Sequence, residues 1–184
     1  LLPLLPLLKD GVIGGDIVAN ALSGISGAGR KERTNLLFCE RTENVNAYSP
    51  GRQHRHAWEI SEQLEKAGPA TRLLFTPHLV PIDQGMAVTT VAELRGGATD
   101  VADSLAGAYA EEPFVVLTGS RIPETKHVRG TNRCDIGYHI EGDRVMLFSV
   151  IDNLWKGAAG QAVQNMNIRL GFPETTGLLR SGEV

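Results

Sequence analysis

The sequence predicts an α+β protein built around a mixed, largely antiparallel sheet. Apolar segments of strand length alternate with segments of helical periodicity along the 184 residues. Several consecutive strands lie close enough in sequence to pair as antiparallel neighbours, which indicates α+β and not a purely parallel α/β sheet. The length suits one domain, or one domain with an appendage, and no internal repeat or low-complexity linker divides it.

Helical patterns each carry a start or stop signal. Pro3 and Pro6 fit the early turns of the first helix, and Gly171 and Pro173 end the last one in the usual order. The small residues 157–160 are poor helix formers on average, which indicates that something packs closely against that turn. The predicted helices are Leu2–Asp10, Ala57–Lys66, Asp100–Tyr109 and Leu154–Leu170, the last being the longest.

Strands are predicted from short apolar runs and from alternation. Met86–Leu94 alternates as a half-buried strand does, and Gly142 lies at the centre of a hairpin turn. The other predicted strands are Asp16–Leu22, Thr71–Thr76, Phe114–Leu117, Cys134–Ile140 and Arg144–Ile151. Two short apolar pieces, Leu36–Phe38 and Val45–Tyr48, receive no assignment.

Composition excludes several classes of partner. A net charge of −3 and a pI near 6.0 argue against nucleic acid and against anionic membrane surfaces. Cys39 and Cys134 have no ligand-like spacing, so neither a metal site nor a disulfide framework is expected, and a reducing, cytoplasmic setting is the default. The apolar start, Leu1–Leu8, is too short for a membrane span, and it has neither the basic flank nor the cleavage site of a signal peptide. It reads as the inside of a longer protein.

The most informative motif is residues 53–59, with two histidines, an arginine and a carboxylate. His56 is expected at the entrance of the helix Ala57–Lys66, with Glu59 one turn further on the same side. A helix N-terminus favours anions and neutral imidazole, which suits a histidine that exchanges protons beside an anionic substrate. The alternative is a solvated basic turn.

Three further segments are candidates for binding. The loop Ser23–Gly29 leaves the backbone free to approach a ligand closely, but it does not match a dinucleotide fingerprint, and such loops are often only loops. Pro123–Asn132 carries several anion donors and could equally be an exposed loop. Asn153 lies at the start of the last helix, where asparagine is ordinarily a cap. Arginines cluster near Arg52 and near Arg129, where they could hold a phosphate or carboxylate.

Taken together, these segments resemble the C-terminal half of the N-acetyl-γ-glutamyl-phosphate reductase family of arginine biosynthesis, which is related to aspartate-semialdehyde dehydrogenase. The matching stretches, in the family's order, are LLPLLKDGVI, SGISGAGRK, HRHAWEI, FTPHLVP, PETKHVRGTN, and VIDNLWKGAAGQAVQNMN with its trailing GFPETTGL. Ala57-Trp58 departs from the smaller dipeptide, often containing proline, that is usual after the second histidine.

The resemblance implies an NADPH-dependent enzyme that reduces N-acetyl-γ-glutamyl phosphate to N-acetylglutamate 5-semialdehyde and phosphate through a cysteine thioester. It implies that His56 is the general acid/base, held by Glu59, and that His54 and Arg55 place substrate anions. The cofactor would lie against Ser23, Gly24, Ser26, Gly27 and Asn153, the last reaching its carboxamide.

The resemblance also implies an architecture. Residues 1–152 would form the catalytic and dimerisation domain of the glyceraldehyde-phosphate/semialdehyde dehydrogenase type. Residues 153–184 would form a helix and tail that pack back toward a nucleotide-binding Rossmann domain upstream of Leu1. The nucleophilic cysteine is expected upstream too, which makes both cysteines of this chain structural and the isolated chain inactive. A homodimer or homotetramer is expected. The alternative is a non-catalytic assembly or substrate-holding module derived from that enzyme.

Overall fold

A mixed sheet of seven strands organises the chain in the computed structural model, which describes residues 1–68 and 71–179. The strands are β1 (Ile13–Ser23), β2 (Asn46–Ala47), β3 (Arg72–Leu79), β4 (Met86–Leu94), β5 (Val115–Gly119), β6 (Cys134–Glu141) and β7 (Arg144–Ile151). Their order across the sheet is β2-β3-β1-β4-β7-β6-β5. Only the pairs β1–β3 and β5–β6 are parallel, which confirms the predicted mixed, largely antiparallel sheet.

Four of the described helices follow the predicted positions, with one change of type, and a short fifth helix, α2, was not predicted. They are α1 (Leu4–Lys9), α2 (Phe38–Arg41), α3 (Arg55–Ala67), α4 (Ala98–Tyr109) and α5 (Gly160–Leu170). A π-helical turn, Trp155–Ala159, precedes α5, so the predicted continuous helix Leu154–Leu170 is α-helical only in its second part. Gly171 ends α5 in the left-handed conformation, as predicted. None of the helices in the described part of the chain is long and apolar enough to cross a membrane.

Three helices cover one face of the sheet. Leu7 and Leu8 of α1, Leu64 of α3 and Leu105 of α4 are at most 2% exposed and pack with the strand residue Ile17. Burying each such side chain contributes roughly 1.5–3 kcal/mol, so this cluster holds the helices on the sheet. The predicted apolar stripe of α3 therefore does face the core.

The alternation of β1 defines the two faces. Ala19, Ala21 and Ser23 are buried toward the helices, whereas Leu22 points to the opposite face. Leu74 of β3 lies on that opposite face as well, because it pairs with Val18. Leu22 and Leu74 are 42% and 46% exposed. The face without helices is called the open face below.

The sheet brings four segments to one edge. Ser23, at the carboxyl end of β1, pairs with Leu79 of the parallel strand β3 and with Met86 of β4. Met86 pairs in turn with Ile151, the last residue of β7, after which the chain enters the π-helical turn. The loop after β1 and the start of the last helix are therefore neighbours, although about 130 residues separate them.

The predicted boundary at residue 152 stays a prediction. Residues 153–179 pack through a buried polar network in which Asn132 Nδ2 donates to Gln164 Oε1 at 2.9 Å. The end of the predicted tail, 180–184, lies outside the described residues.

Candidate active site

The N-terminus of α3 is built around His54. The helix begins at Arg55, and His54 is its N-cap: the ring Nδ1 accepts a hydrogen bond from the backbone N–H of His56 at 3.2 Å. The His54 ring also stands edge-on to Tyr48 and Phe75, with ring centroids 5.5 and 5.4 Å apart. These contacts fix the orientation of the His54 imidazole.

The surroundings of His54 favour its neutral form. Burial lowers the pKa of His54, and the charges of His56 and Arg55 lower it further, while Glu59 opposes them. Because Nδ1 is an acceptor, the proton of the neutral ring lies on Nε2. His54 can therefore offer a neutral N–H donor to an anionic or carbonyl oxygen, which suits its predicted role in placing substrate.

His56, Arg55 and Glu59 are exposed on the first turns of α3. The structure places them together, as expected, but among the described residues no hydrogen bond joins His56 to Glu59. The predicted holding contact is therefore not formed: at spacing i, i+3 the two side chains are neighbours, yet both are exposed to solvent. The roles of His56 as base and of Glu59 as its support stay predictions.

Trp58 adds a contact that the sequence did not predict. Its indole N–H donates to the carbonyl oxygen of Arg52 at 3.1 Å, and the Arg52 guanidinium lies over the Trp58 ring, 4.7 Å from the centroid. The unusual dipeptide after the second histidine thus ties the turn Gly51–Gln53 to α3. The signal in the sequence was the departure from the family pattern.

The loop after β1 is held by the turn that precedes β4. The backbone N–H of Gly24 donates to Gly85, and that of Ser26 donates to Asp83. A Cβ atom on Gly24 would lie 2.9 Å from the Asp83 carbonyl oxygen. The absence of a side chain at Gly24 therefore allows the chain's own backbone to approach closely, and the role of Gly24 in cofactor binding stays a prediction.

Asn153 joins this loop from the other side. Its Oδ1 accepts from the N–H of Gly85 at 2.6 Å, and its Nδ2 donates to Ser26 Oγ at 2.9 Å. A Cβ atom on Gly27 would meet Ser23 Oγ at 3.3 Å and Asn153 Nδ2 at 3.5 Å. The structure therefore brings the predicted cofactor-facing residues together, and we call Ser23, Gly24, Ser26, Gly27 and Asn153 the loop–amide cluster.

Asn153 is not the cap of the last helix. That role belongs to Asp152, whose Oδ1 accepts from the N–H groups of Leu154 and Trp155 at 2.8 and 3.1 Å. Sequence reasoning missed Asp152, although an aspartate two residues before a helical segment is a common capping signal. It also missed Gln84, whose side-chain amide reaches Asp152 at 2.7 Å.

Both candidate groups are supported by the same parallel strand pair: His54 packs beside the middle of β3, and the loop–amide cluster lies at the carboxyl end of β1. Phe75, under the His54 ring, pairs with Ala19 of β1, and Ser23 lies four residues further along the same helix-covered face. Catalytic and binding groups commonly gather at such strand ends, because loops there are supported by a rigid sheet.

The cysteines differ from each other. Cys134 is 2% exposed, and burial raises its pKa to about 12 against the opposing charge of the nearby Leu1 amino group. Its thiol therefore stays protonated and unreactive at neutral pH. Cys39 is exposed on α2, and the prediction that it is structural stays a prediction. The structure brings neither of them to the described contacts of His54, His56 or Asn153. Within residues 1–68 and 71–179 no group of three or more His, Cys, Asp or Glu is arranged for a metal.

Comparisons with known proteins agree on one family. The model of the semialdehyde dehydrogenase dimerisation domain matches residues 1–153. The chain is 50% identical to an N-acetyl-γ-glutamyl-phosphate reductase of Geobacter metallireducens, covering 97% of the chain and 54% of the relative. It is 45% identical to the enzyme of that name from Paracoccus denitrificans, covering 95% of the chain and 52% of the relative. The chain thus spans about half the length of the curated relatives it matches.

Solved structures agree on the fold. Aspartate semialdehyde dehydrogenase II of Vibrio cholerae superposes with a TM-score of 0.69 at 21% identity, covering 91% of the chain and 58% of that protein. Aspartate semialdehyde dehydrogenase of Francisella tularensis gives a TM-score of 0.70 at 15% identity, over 92% of the chain and 61% of that protein. At these identities the likeness concerns the fold alone.

Proposed function

The chain belongs to the family of semialdehyde dehydrogenase dimerisation domains, and we propose that it supplies the acid/base and the cofactor-facing wall of an N-acetyl-γ-glutamyl-phosphate reductase. The relatives at 43–50% identity all carry that name. The observation that carries the proposal is that the loop–amide cluster and the residues His54–His56 are both supported by the same parallel strand pair, β1 and β3.

The proposed reaction belongs to arginine biosynthesis and needs a thiolate from another part of the protein. That thiolate attacks the acyl phosphate carbonyl, the carbon–oxygen bond to phosphate breaks, and inorganic phosphate leaves. Reduction of the resulting thioester releases N-acetylglutamate 5-semialdehyde and regenerates the thiolate. His56 is the proposed acid/base, which accepts the proton of the thiol and then donates it to the oxygen of the departing phosphate.

The substrate carries a carboxylate and a phosphate, and the His54–His56 turn offers donors for both. His54 presents a neutral Nε2–H in a fixed direction, and Arg55 adds a charged, exposed guanidinium. A neutral donor at a helix N-terminus stabilises a developing oxyanion without competing for the proton that His56 exchanges.

The loop–amide cluster fits the carboxamide of a nicotinamide ring. Asn153 uses its oxygen toward Gly85 and one N–H toward Ser26, which leaves a second N–H in a fixed direction. Gly27 keeps the space beside Asn153 free of a side chain. A bound NADPH would supply the hydride, and this chain's part is to orient and shield the ring.

The family's description as a dimerisation domain implies oligomerisation. We propose a homodimer formed through the open face, where Leu22 and Leu74 are exposed on adjacent strands, with a homotetramer as a higher assembly. A face of this kind is costly to leave in water and is typical of an interface between identical subunits. The proposed setting is the cytoplasm, where a thiolate stays reduced.

One assay tests the proposed function. The complete protein, with the part that precedes this chain, should reduce NADP in the presence of phosphate and N-acetylglutamate 5-semialdehyde, the reverse of the proposed reaction. The 184-residue chain alone should give no turnover, because the base cannot replace an absent nucleophile. No turnover by the complete protein would refute the proposal. Turnover by the chain alone that is lost on changing Cys39 or Cys134 would refute the external thiolate.

A further inference from the structure

Asp152 has no exposed surface, and its carboxylate gathers donors from three separate segments. Oδ1 accepts from the backbone of Leu154 and Trp155 at 2.8 and 3.1 Å. Oδ2 accepts from Gln84 Nε2 at 2.7 Å and from the backbone N–H of Gly130 at 2.5 Å. A helix cap needs only the two bonds to Oδ1, so the two bonds to Oδ2 serve another purpose.

The bonds to Oδ2 act together with those of Asn153. Gln84 and Gly85 are consecutive, and they bond to the consecutive residues Asp152 and Asn153, which makes a ladder of two rungs between the turn and the last helix. The first rung, the bond from Gln84 to Asp152, fixes the position of the turn relative to the last helix. The second rung assigns the Asn153 oxygen to Gly85, so that the amide nitrogen faces Ser26.

The bond from Gly130 connects Asp152 to the loop Pro123–Asn132, which carries several basic side chains. The 3₁₀ turn Thr125–His127 lies in this loop, and a Cβ atom on Gly85 would be 3.2 Å from Thr125 Cβ. The loop therefore packs against the turn that contains Gln84 and Gly85, and Asp152 bonds to both segments. Lys126, His127 and Arg129 project from it with exposed side chains.

We propose that Asp152 is the positioning residue of the loop–amide cluster: its buried carboxylate holds Gln84 and Gly130 and thereby aims the side-chain amide of Asn153. This inference rests on the proposed function for its consequence in catalysis. Removing the carboxylate leaves buried N–H donors without acceptors, which the turn relieves by moving. A displacement of about 1 Å in a residue that positions a reactant is enough to cost about 10²-fold in rate.

The direct test measures how well the second rung, the bond from the Gly85 N–H to Asn153, is kept in the 184-residue chain itself. Asp152→Asn replaces an accepting oxygen by an amide N–H, which cannot accept from Gln84 and Gly130. The turn should then move and weaken the bond from Gly85 to Asn153, so hydrogen exchange at the Gly85 amide should accelerate by at least about tenfold under native conditions. Asp135→Asn is the matched control, because Asp135 is also buried, at 1% exposed, but its carboxylate pairs with Arg133 at 2.9 Å instead of bonding to Gln84 or Gly130. Equal Gly85 exchange in the two variants would overturn the proposal. If Asp152→Asn does not fold, Gln84→Ala removes only the first rung, and unchanged Gly85 exchange there would overturn it instead.

Kinetics of the complete protein test the consequence. Asp152→Asn should raise KM for the nicotinamide cofactor by about tenfold or more, with KM for the acyl phosphate unchanged and Asp135→Asn unaffected in both. Adding Asp152→Asn to Asn153→Ala should raise cofactor KM no further, because the first residue acts through the second. Additive effects would overturn the proposal. If the unmodified protein shows no turnover, the proposed function fails, and Gly85 exchange still decides the role of Asp152.

Discussion

His54 Nδ1 accepts the backbone N–H of His56 at 3.2 Å, and this one contact gives the two histidines different chemistry. His54 is turned inward against Phe75 and has its proton on Nε2, whereas His56 is exposed with both ring nitrogens available. A fixed neutral donor and an exposed imidazole therefore lie two residues apart. This is the physical basis for assigning substrate placement to His54 and proton transfer to His56.

The depressed pKa of His54 predicts a pH dependence of stability. The unfolded chain takes up a proton on this residue near pH 6.5, and the folded chain takes it up only at lower pH. Stability is therefore unaffected by His54 well above pH 6.5 and decreases as the pH falls below it. Thermal melts between pH 7.5 and 5.5 should show a smaller loss of Tm in His54→Asn, which keeps an N-cap. His139→Asn, at an exposed histidine, is the control and should keep the pH profile of the unchanged chain. If His54→Asn also keeps that profile, the prediction is contradicted.

The two cysteines should react differently with a thiol reagent. Cys39 is exposed, whereas burial raises the pKa of Cys134 to about 12. At pH 8 a chromogenic disulfide should therefore label one thiol in the native chain and both after unfolding. Cys39→Ser should remove the native reaction. Fast native labelling of Cys134 would show that its thiol is accessible and would contradict its assignment as structural.

Gly160 should not tolerate a methyl group. An added Cβ would lie 2.2 Å from Asn132 Oδ1 and 2.9 Å from the Trp155 carbonyl oxygen, so Gly160→Ala should destabilise by about 1–3 kcal/mol despite the better helix propensity of alanine. Gly107 in α4 has nothing within 4 Å of an added Cβ, and Gly107→Ala should stabilise by up to about 1 kcal/mol. Chemical denaturation of both variants checks the opposite signs; the same sign in both would count against the close packing of the π-helical turn.

The open face predicts self-association that a single charge abolishes. Leu74 is 46% exposed on β3, and Leu74→Lys would place an ammonium group in the proposed interface. We expect its dissociation constant to rise by at least about 100-fold, as for a central interface residue. Leu37→Lys, at a residue that is 57% exposed outside the sheet, should leave association unchanged. Sedimentation equilibrium distinguishes the cases, and a wild-type chain that stays monomeric at high concentration would exclude this interface.

Periodicity predicted much of the fold because the elements follow simple patterns. Leu64 lies on the predicted stripe of α3, and Met86–Leu94 is a strand over its whole predicted length. The short elements α2 and β2 could not be predicted, since a few residues carry too little pattern to distinguish a helix from a strand. The π-helical turn was missed because it depends on Gly160 packing against Asn132, a contact between distant segments.

The site was predictable to the extent that it lies in short motifs. Asn153 and the loop Ser23–Gly29 were both found, but the bonds that join them depend on the register of β1, β4 and β7. The same holds for Asp152, whose partners Gln84 and Gly130 lie in two loops that are distant from it in sequence. Sequence alone predicts candidate residues, whereas tertiary structure decides which of them touch.

The most direct test is a comparison of His56→Asn with His54→Asn in the complete protein. We expect His56→Asn to lower kcat by about 10²- to 10⁴-fold, the usual loss for a positioned acid/base. His54→Asn should mainly raise KM for the acyl phosphate, because a donor that binds the substrate anion equally in the ground and transition states alters affinity. Steady-state kinetics of phosphate-dependent NADP reduction measure both. A collapse of kcat in His54→Asn, with kcat intact in His56→Asn, would contradict the assignment and exchange the two roles.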